Sequence, residues 1–257
     1  MIDFFNKYIV GTCFGVSLLI FGIMFFFAPD IEKSNFLSEE ESQHAVKVLR
    51  LKEGDFVELV DGCGNYYTAE ISFANHKKCE VCVLEKKEEF NELPCHIHIA
   101  IAPTKNMDRM EWFAEKVTEV GVCEVTPLLC DHSERKVLKT ERLEKIMVSA
   151  MKQSKKATLP MLNEMVPFAQ FVKKYADFQG EKYIAHCYEQ DKKSLAKTYG
   201  KRADVIVLIG PEGDFSEEEV RLAMDCGFVP VSLGNSRLRT ETAGLMACHT
   251  IHVLNEL

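Results

Sequence analysis

Two arginines and a glutamate set close together raise the first chemical question in this 257-residue chain. Arg237, Arg239 and Glu241 lie in the stretch LGNSRLRTETAG, Leu233 to Gly244, directly after an apolar run that ends in a glycine. A guanidinium is a planar donor that stays protonated at physiological pH. Two of them at the end of a buried strand therefore put fixed positive charge where the chain leaves the core. A second strand end carries VLIGPEGDFSEEE, in which Gly210 and Gly213 flank Pro211 and Glu212. Glycines at such positions let the backbone turn sharply and approach a ligand closely. Together the two loops suit a flat heterocycle held by backbone amides and carbonyls between apolar side chains. Either loop alone reads equally as ordinary turn chemistry.

Other chemistries lack their signatures. The phosphate-cradling G-x-x-x-x-G-K-[ST] spacing is absent, and so is the dinucleotide G-x-G-x-x-G. No G-x-S-x-G nucleophile elbow occurs. Among ten cysteines only Cys79 and Cys82 have ligand-like spacing, with no second pair to complete a zinc site. They sit in an alternating run where cysteine is a small apolar residue, so no metal is expected. Ten thiols suit a reducing compartment, and hence the cytoplasm. The net charge of −8 argues against a general polyanion binder. The charge is uneven, however: His132–Lys156 holds 8 basic residues against 3 acidic. That stretch is either an electrostatic footprint or a solvated helix face.

The elements that must position these residues fall into two rhythms. Ser38 and Glu41 form a capping-box pattern opening a short helix through HAVKVLR. LKEGDFVELVDGCGNYYTAEIS then alternates as strands around a hairpin turn at Asp61–Asn65, and KCEVCVLEKK alternates again. From His96 strands and helices take turns. HIHIAIA, EVTPLLC, KYIAHCY, ADVIVLIG and FVPVSLG read as strands. MDRMEWFAEKVTEVG, Thr140–Ser154, Ser216–Cys226 and Thr240–Leu254 read as helices, the third with a Ser-x-x-Glu capping box. This alternation implies an α/β domain with a parallel sheet, and ligands bind such sheets outside the carboxyl ends of the strands. The expected division is 1–23 an apolar leader, 24–94 a small β-rich unit and 95–257 the α/β domain.

The leader is uncharged from Tyr8 to Ala28, long enough to span a bilayer. Lys7 could serve a signal peptide, but no A-x-A cleavage pattern precedes Pro29. Met24 offers a third reading, as the start of the functional chain.

LIGPEGDFSEEEV followed by LGNSRLRTETAGLMA resembles the paired C-terminal motifs of the ribosomal RNA small-subunit methyltransferase E family, within the SPOUT superfamily. HAVKVLRLKEGD, EWFAEKVTEVGVCEVTPLLCDHSERK and MKQSKKATLP resemble its N-terminal and middle segments. The resemblance runs from Met24 to the C-terminus. It implies a trefoil-knotted C-terminal methyltransferase domain, a rare exception to unknotted connectivity. It implies a PUA-like N-terminal β-barrel that helps grip RNA, and a homodimer whose active site is completed across the interface. The implied activity is methylation of N3 of a uridine in 16S ribosomal RNA, with S-adenosylmethionine held by Leu208, Ile209, Gly210, Gly213, Leu233, Gly234 and Leu238.

Within that resemblance the charged residues acquire roles. The uracil N3–H is a weak acid, and Arg239 is the candidate to stabilise the negative charge that develops on the uracil oxygens. Glu241 either orients Arg239 through a bidentate pair or helps move the proton. The alternative is a structural ion pair between them. RNA contacts fall to His44, Lys47, Arg50, Lys105, Arg109, Gln153, Lys155 and Lys156, on phosphates or on the edges of unpaired bases. Ser236 stands where many relatives carry the first arginine of the motif, which ranks Arg237 below Arg239. Competing readings are a SPOUT methyltransferase acting on another RNA, a non-enzymatic RNA-binding protein, and a membrane-tethered protein motivated by the leader.

Overall fold

The computed structural model describes residues 25–90, 92–188 and 192–257. The leader, and with it the question of Met24, lies outside the described residues.

The first unit is built on a four-stranded sheet in the order β1 (Phe26–Phe27), β2 (Phe56–Val60), β3 (Tyr66–Phe73), β4 (Glu80–Lys87). β2 and β3 form the expected hairpin. The Asp61 carboxylate fixes its turn by accepting from the Cys63 and Asn65 amides at 2.8 and 3.1 Å. One short segment touches both sheet edges. Phe26 and Phe27 pair with β2, and ten residues later the Leu37 amide donates to the Cys79 carbonyl while the Val81 amide donates to Asn35. The sheet thus closes round a core of Phe26, Leu37, Leu59, Tyr67, Ile71, Cys79 and Val81. Closure removes exposed strand edges. Cys79 is buried as expected but Cys82 is exposed, because residues three apart on a strand face opposite sides.

Between β1 and β2 lies helix α1 (Glu39–Gln43), continued by a π-helical turn over His44–Val48. Only half of the expected capping box forms. The Ser38 hydroxyl accepts from the Glu41 amide, but the Glu41 side chain is used elsewhere. Its Oε1 accepts from the Phe27 amide at 3.2 Å and from Lys152 Nζ at 2.5 Å. Lys152 belongs to the second unit, so this nearly buried pair clamps the barrel onto it. One charge left without the other in such a site would be strongly destabilising.

The second unit is a parallel sheet. Its strands are β5 (Ile97–Ile101), β6 (Glu124–Leu129), β7 (Met161–Leu162), β8 (Val166–Pro167), β9 (Glu181–Ala185), β10 (Lys193–Ser194), β11 (Val205–Ile209) and β12 (Val229–Ser232). The order is β10-β12-β9-β11-β5-β6-β7, with β8 also on β6. β11 is apolar throughout and β5 is apolar but for His98; both are fully buried and central, as two-faced strands require. Alternate residues feed two cores. Ile97, Ile99, Ile101, Val205 and Val207 pack under α2 (Met107–Val120), α3 (Glu141–Gln153) and α7 (Thr240–Glu256). Ala100, Ile206 and Leu208 pack under α4 (Phe168–Lys174) and α6 (Glu217–Asp225). A single turn of helix, α5 (Leu195–Thr198), follows β10. Pro127 has no amide to donate in mid-strand, and the partner of β6 changes there from β7 to β8.

α2 shows how sequence sets an element here. Asn106 caps it by accepting from the Asp108 amide, and Met110, Phe113, Ala114 and Val117 form its buried stripe. It ends at Gly121, whose φ of +115° favours glycine. α7 crosses close by: a Cβ at Gly244 would lie 2.6 Å from the Phe113 ring.

Candidate active site

Three loops meet at the carboxyl edge of the sheet, where β9, β11 and β12 end. The Cys187 amide donates to Asp214 Oδ2 at 2.7 Å, and the Tyr188 hydroxyl donates to the Phe215 carbonyl at 2.7 Å. The Thr240 hydroxyl donates to the Gly210 carbonyl at 3.0 Å, tying the start of α7 to the loop after β11. Between the loops lies a cavity of about 650 Å³ walled by Ala185, Val231, Leu233, Gly234, Leu238 and Ala243, with Gly213 and Asp214 on its rim. A second lobe of about 300 Å³ shares Ala185, Leu238 and Ala243 and adds Ile209, Gly210, Glu212 and Arg239. The space suits a nucleoside-sized ligand, with apolar walls for a ring system and exposed backbone for its polar edges. Gly234 has φ +126° with nothing near its missing side chain, so it is needed for the turn itself. At Gly213 a Cβ would stand 3.0 Å from the His132 Cβ, so there close approach is the constraint.

The sequence reading placed Ile209, Gly210, Gly213, Leu233, Gly234 and Leu238 at the cofactor site, and all six line this cavity. Leu208 does not. Its side chain is fully buried among Ala100, Phe168 and Phe215 on the far face, because neighbours on a strand point opposite ways.

The Arg239–Glu241 pair does not form. Arg239 is the N-cap of α7, extended and exposed, whereas Glu241 lies in the first helical turn and is buried. Positions two apart do not face each other at a helix start. Glu241 turns to α2 instead, with Oε1 3.8 Å from Arg109 Nε, and Oε2 has no partner among the described residues. Arg109 is thereby drawn from the RNA contacts to the carboxylate. Arg239, like Arg237, lies within 4 Å of no carboxylate among the described residues and borders the second lobe.

The remaining expected RNA contacts form separate groups. His44, Lys47 and Arg50 are on the barrel, and Glu41 links His44, 4.0 Å away, to Lys152 of α3, near whose end Gln153 and Lys155 are exposed. Lys105 is beside the site, its amide donating to Glu212 at 2.9 Å and its ammonium paired with Glu134 at 2.7 Å. Lys156 departs from the expectation. Lys155 takes a left-handed turn (φ 55°) after α3, and Lys156 then lines a cavity with Cys95, His96, Val122 and Cys123. Those residues stand where β5 and β6 begin, at the edge opposite the site. Burial lowers the Lys156 pKa below that of an ordinary lysine.

The sequence reading missed the residues that brace the loops. His132 Nδ1 lies 3.2 and 3.0 Å from the Gly213 and Asp214 carbonyls, so that nitrogen carries the proton. Arg135 donates to the carbonyls of Thr104 and Lys105. Glu219 completes the capping box on Ser216 and also accepts from the Asp131 amide; burial raises its pKa. Of these only the capping box has a local signal. His186, at the cavity wall, is kept neutral by burial and by Lys192, whose Nζ is 3.3 Å from its Nδ1.

Two family models match the chain: an RNA methyltransferase domain over residues 91–252 and an RNA methyltransferase PUA domain over residues 37–84. A ribosomal RNA small subunit methyltransferase E from Synechocystis is 33% identical over 240 residues, 89% of this chain and 77% of the relative. The chain belongs to the ribosomal RNA small subunit methyltransferase E family. A crystal structure of a probable rRNA-methyltransferase from Porphyromonas gingivalis superposes with a TM-score of 0.86 at 45% identity, covering 91% of this chain and 98% of the other. A methyltransferase E from Neisseria gonorrhoeae, bound to S-adenosyl methionine, superposes with a TM-score of 0.81 at 26% identity, covering 90% and 98%. The family's two units thus correspond to the closed barrel and the parallel-sheet domain. Among the described residues no helix is long and apolar enough to cross a membrane.

Proposed function

We propose that this chain transfers the methyl group of S-adenosylmethionine to N3 of a uridine in 16S ribosomal RNA. The observation that carries the reading is the two-lobed cavity at the carboxyl edge of β9, β11 and β12, with an unpaired Arg239 at its second lobe. A methyltransferase E relative of the same fold carries S-adenosyl methionine. The interleaved loops after β9, β11 and β12 are read as the knot that the family resemblance implies. Residues 24–94 are taken as the unit that grips RNA and 95–257 as the catalytic unit.

Ile209, Gly210, Gly213, Leu233, Gly234 and Leu238 hold the cofactor, the leucines and Ile209 on its ring system and the glycine turns on its polar edges. When bound, its sulfonium supplies an electrophilic methyl group. Arg239 points its planar fork to the second lobe, where it meets the charge that appears on the uracil oxygens as N3 loses its proton. The unpartnered Oε2 of Glu241 is an acceptor for that proton. Arg109 holds this carboxylate, and Glu212 fixes the loop carrying Lys105. His44, Lys47, Arg50, Gln153 and Lys155 bind the RNA backbone. The chain acts as a homodimer through the exposed α7 face bearing Met246 and Val253. It works in the cytoplasm on the assembled small subunit.

The test is methyl transfer from labelled cofactor to small-subunit particles, followed by nucleoside mass spectrometry. The reading expects N3-methyluridine in 16S RNA; label in another nucleoside, or in another RNA, would refute it.

A further inference from the structure

The chain has a single tryptophan, and it stands outside the cofactor cavity with 41% of its surface exposed. Trp112 sits on α2 one turn beyond Arg109, on the same helix face. Together with Asp108, Arg237, Arg239 and Glu241 these two line an open groove of about 560 Å³. The same loop, Arg237 to Arg239, also lines the second lobe of the cavity. One thickness of chain therefore separates groove from cavity.

The composition of the groove specifies an occupant. A large aromatic face left open to water forgoes burial of a ring among the most favourable to bury. Three guanidinium groups surround it, and only Arg109 has a carboxylate within reach among the described residues. Against them stand the carboxylates of Asp108 and Glu241, the latter buried, so the groove carries an excess of positive charge that favours an anionic partner. Aromatic and guanidinium planes side by side are what single-stranded RNA uses: a base stacks on the ring while the guanidiniums take its phosphates or stack in turn.

We propose that Trp112 is the stacking platform for an unpaired base that flanks the methylated nucleotide, with Arg237 on the adjoining phosphate. This rests on the RNA-methylating reading above. It adds a positioning residue: the target base enters the second lobe past Arg239 because its neighbour is pinned on Trp112. Stacking is tolerant of base identity, so the platform sets the register of the strand and leaves the choice of base to the lobe. The expected cost of losing one such stack is about tenfold in RNA affinity.

The sole tryptophan makes the test direct, because all indole emission reports this groove. The full chain is titrated with a short unstructured uridine-containing oligoribonucleotide and, separately, with small-subunit RNA, with and without cofactor. Saturable quenching of the emission is expected with both. Trp112→Ala is expected to raise KM for RNA about tenfold, with cofactor affinity unaltered, and Trp112→Phe to recover most of the loss. Emission unmoved by either RNA would overturn the proposal. So would a Trp112→Ala loss confined to kcat. A sedimentation change from dimer to monomer in Trp112→Ala without RNA quenching would also overturn it, assigning the ring to a contact between copies. Quenching by RNA in a protein that methylates no RNA would sink the functional reading and leave the groove assignment standing.

Discussion

Replacing Arg239 separates a transition-state role from a structural one. The structure gives little reason for Arg239 to support the fold. Its side chain is exposed, makes no helix-capping bond, and lies within 4 Å of no carboxylate among the described residues. The contact this position makes with α7 is through the backbone, where its carbonyl accepts from the Ala243 amide at 2.7 Å, and that survives any side chain. Arg239→Ala and Arg239→Lys are therefore expected to stay within about 0.5 kcal/mol of wild type in stability, the usual range for surface positions. On activity the expectation is a loss of about a hundredfold in kcat, which is roughly 2.7 kcal/mol. Lysine keeps the charge but not the planar fork, so it should recover little. The assay is single-turnover methylation of assembled small-subunit particles, beside calorimetric titration of the cofactor and a thermal melt. If either variant unfolds or loses cofactor binding, Arg239 holds the loops together and the charge-stabilising argument fails.

Three further expectations follow from the geometry. Lys155→Ala should reduce the slope of log RNA affinity against log salt by about 0.7, one phosphate contact on a single strand. Lys156→Ala should leave that slope unchanged, since its side chain faces the opposite edge, and equal effects would refute the assignment. Gly244→Ala should destabilise the fold by about 1–2 kcal/mol in denaturant titrations, overpacking against Phe113 outweighing the gain in helix propensity; a more stable variant would contradict the packing described. His98 is buried with its Nε2 2.8 Å from the Thr126 hydroxyl, and burial together with His96 and Lys174 pushes its pKa down to about 3 although Glu124 is 3.6 Å away. Because the unfolded chain then binds the extra proton, stability should fall as pH drops from 6.5 toward 3, by up to roughly 5 kcal/mol. Urea titrations of His98→Gln should show a flatter acid limb, and an unchanged limb would mean His98 titrates normally.

The central strands and most helices were legible because their signals are local. β11 is an unbroken apolar run, β5 alternates isoleucines with His98 and Ala100, α6 carries a complete capping box, and the hairpin turn has its Asp and Asn in place. α4 was not legible: it starts after Pro167 with no side-chain cap, and it follows two-residue strands too short to show a period. The site residues whose placement differs from the expectation share a reason, that spacing along the chain does not fix side-chain direction. Leu208 is next to lining residues but points to the far core, Glu241 is two places from Arg239 but faces α2, and Lys156 follows a left-handed residue that swings it away. The bracing by His132, Arg135 and Glu212 joins loops 30 to 107 residues apart, which no local pattern encodes.

The most direct measurement is the nucleotide itself. 16S RNA from cells lacking this chain, compared with the parent strain and with cells supplied again with it, is digested and read by mass spectrometry. The account predicts that one N3-methyluridine disappears and returns with the wild-type chain but not with Arg239→Ala. An unaltered N3-methyluridine, with a different methylated nucleotide lost in its place, would contradict it.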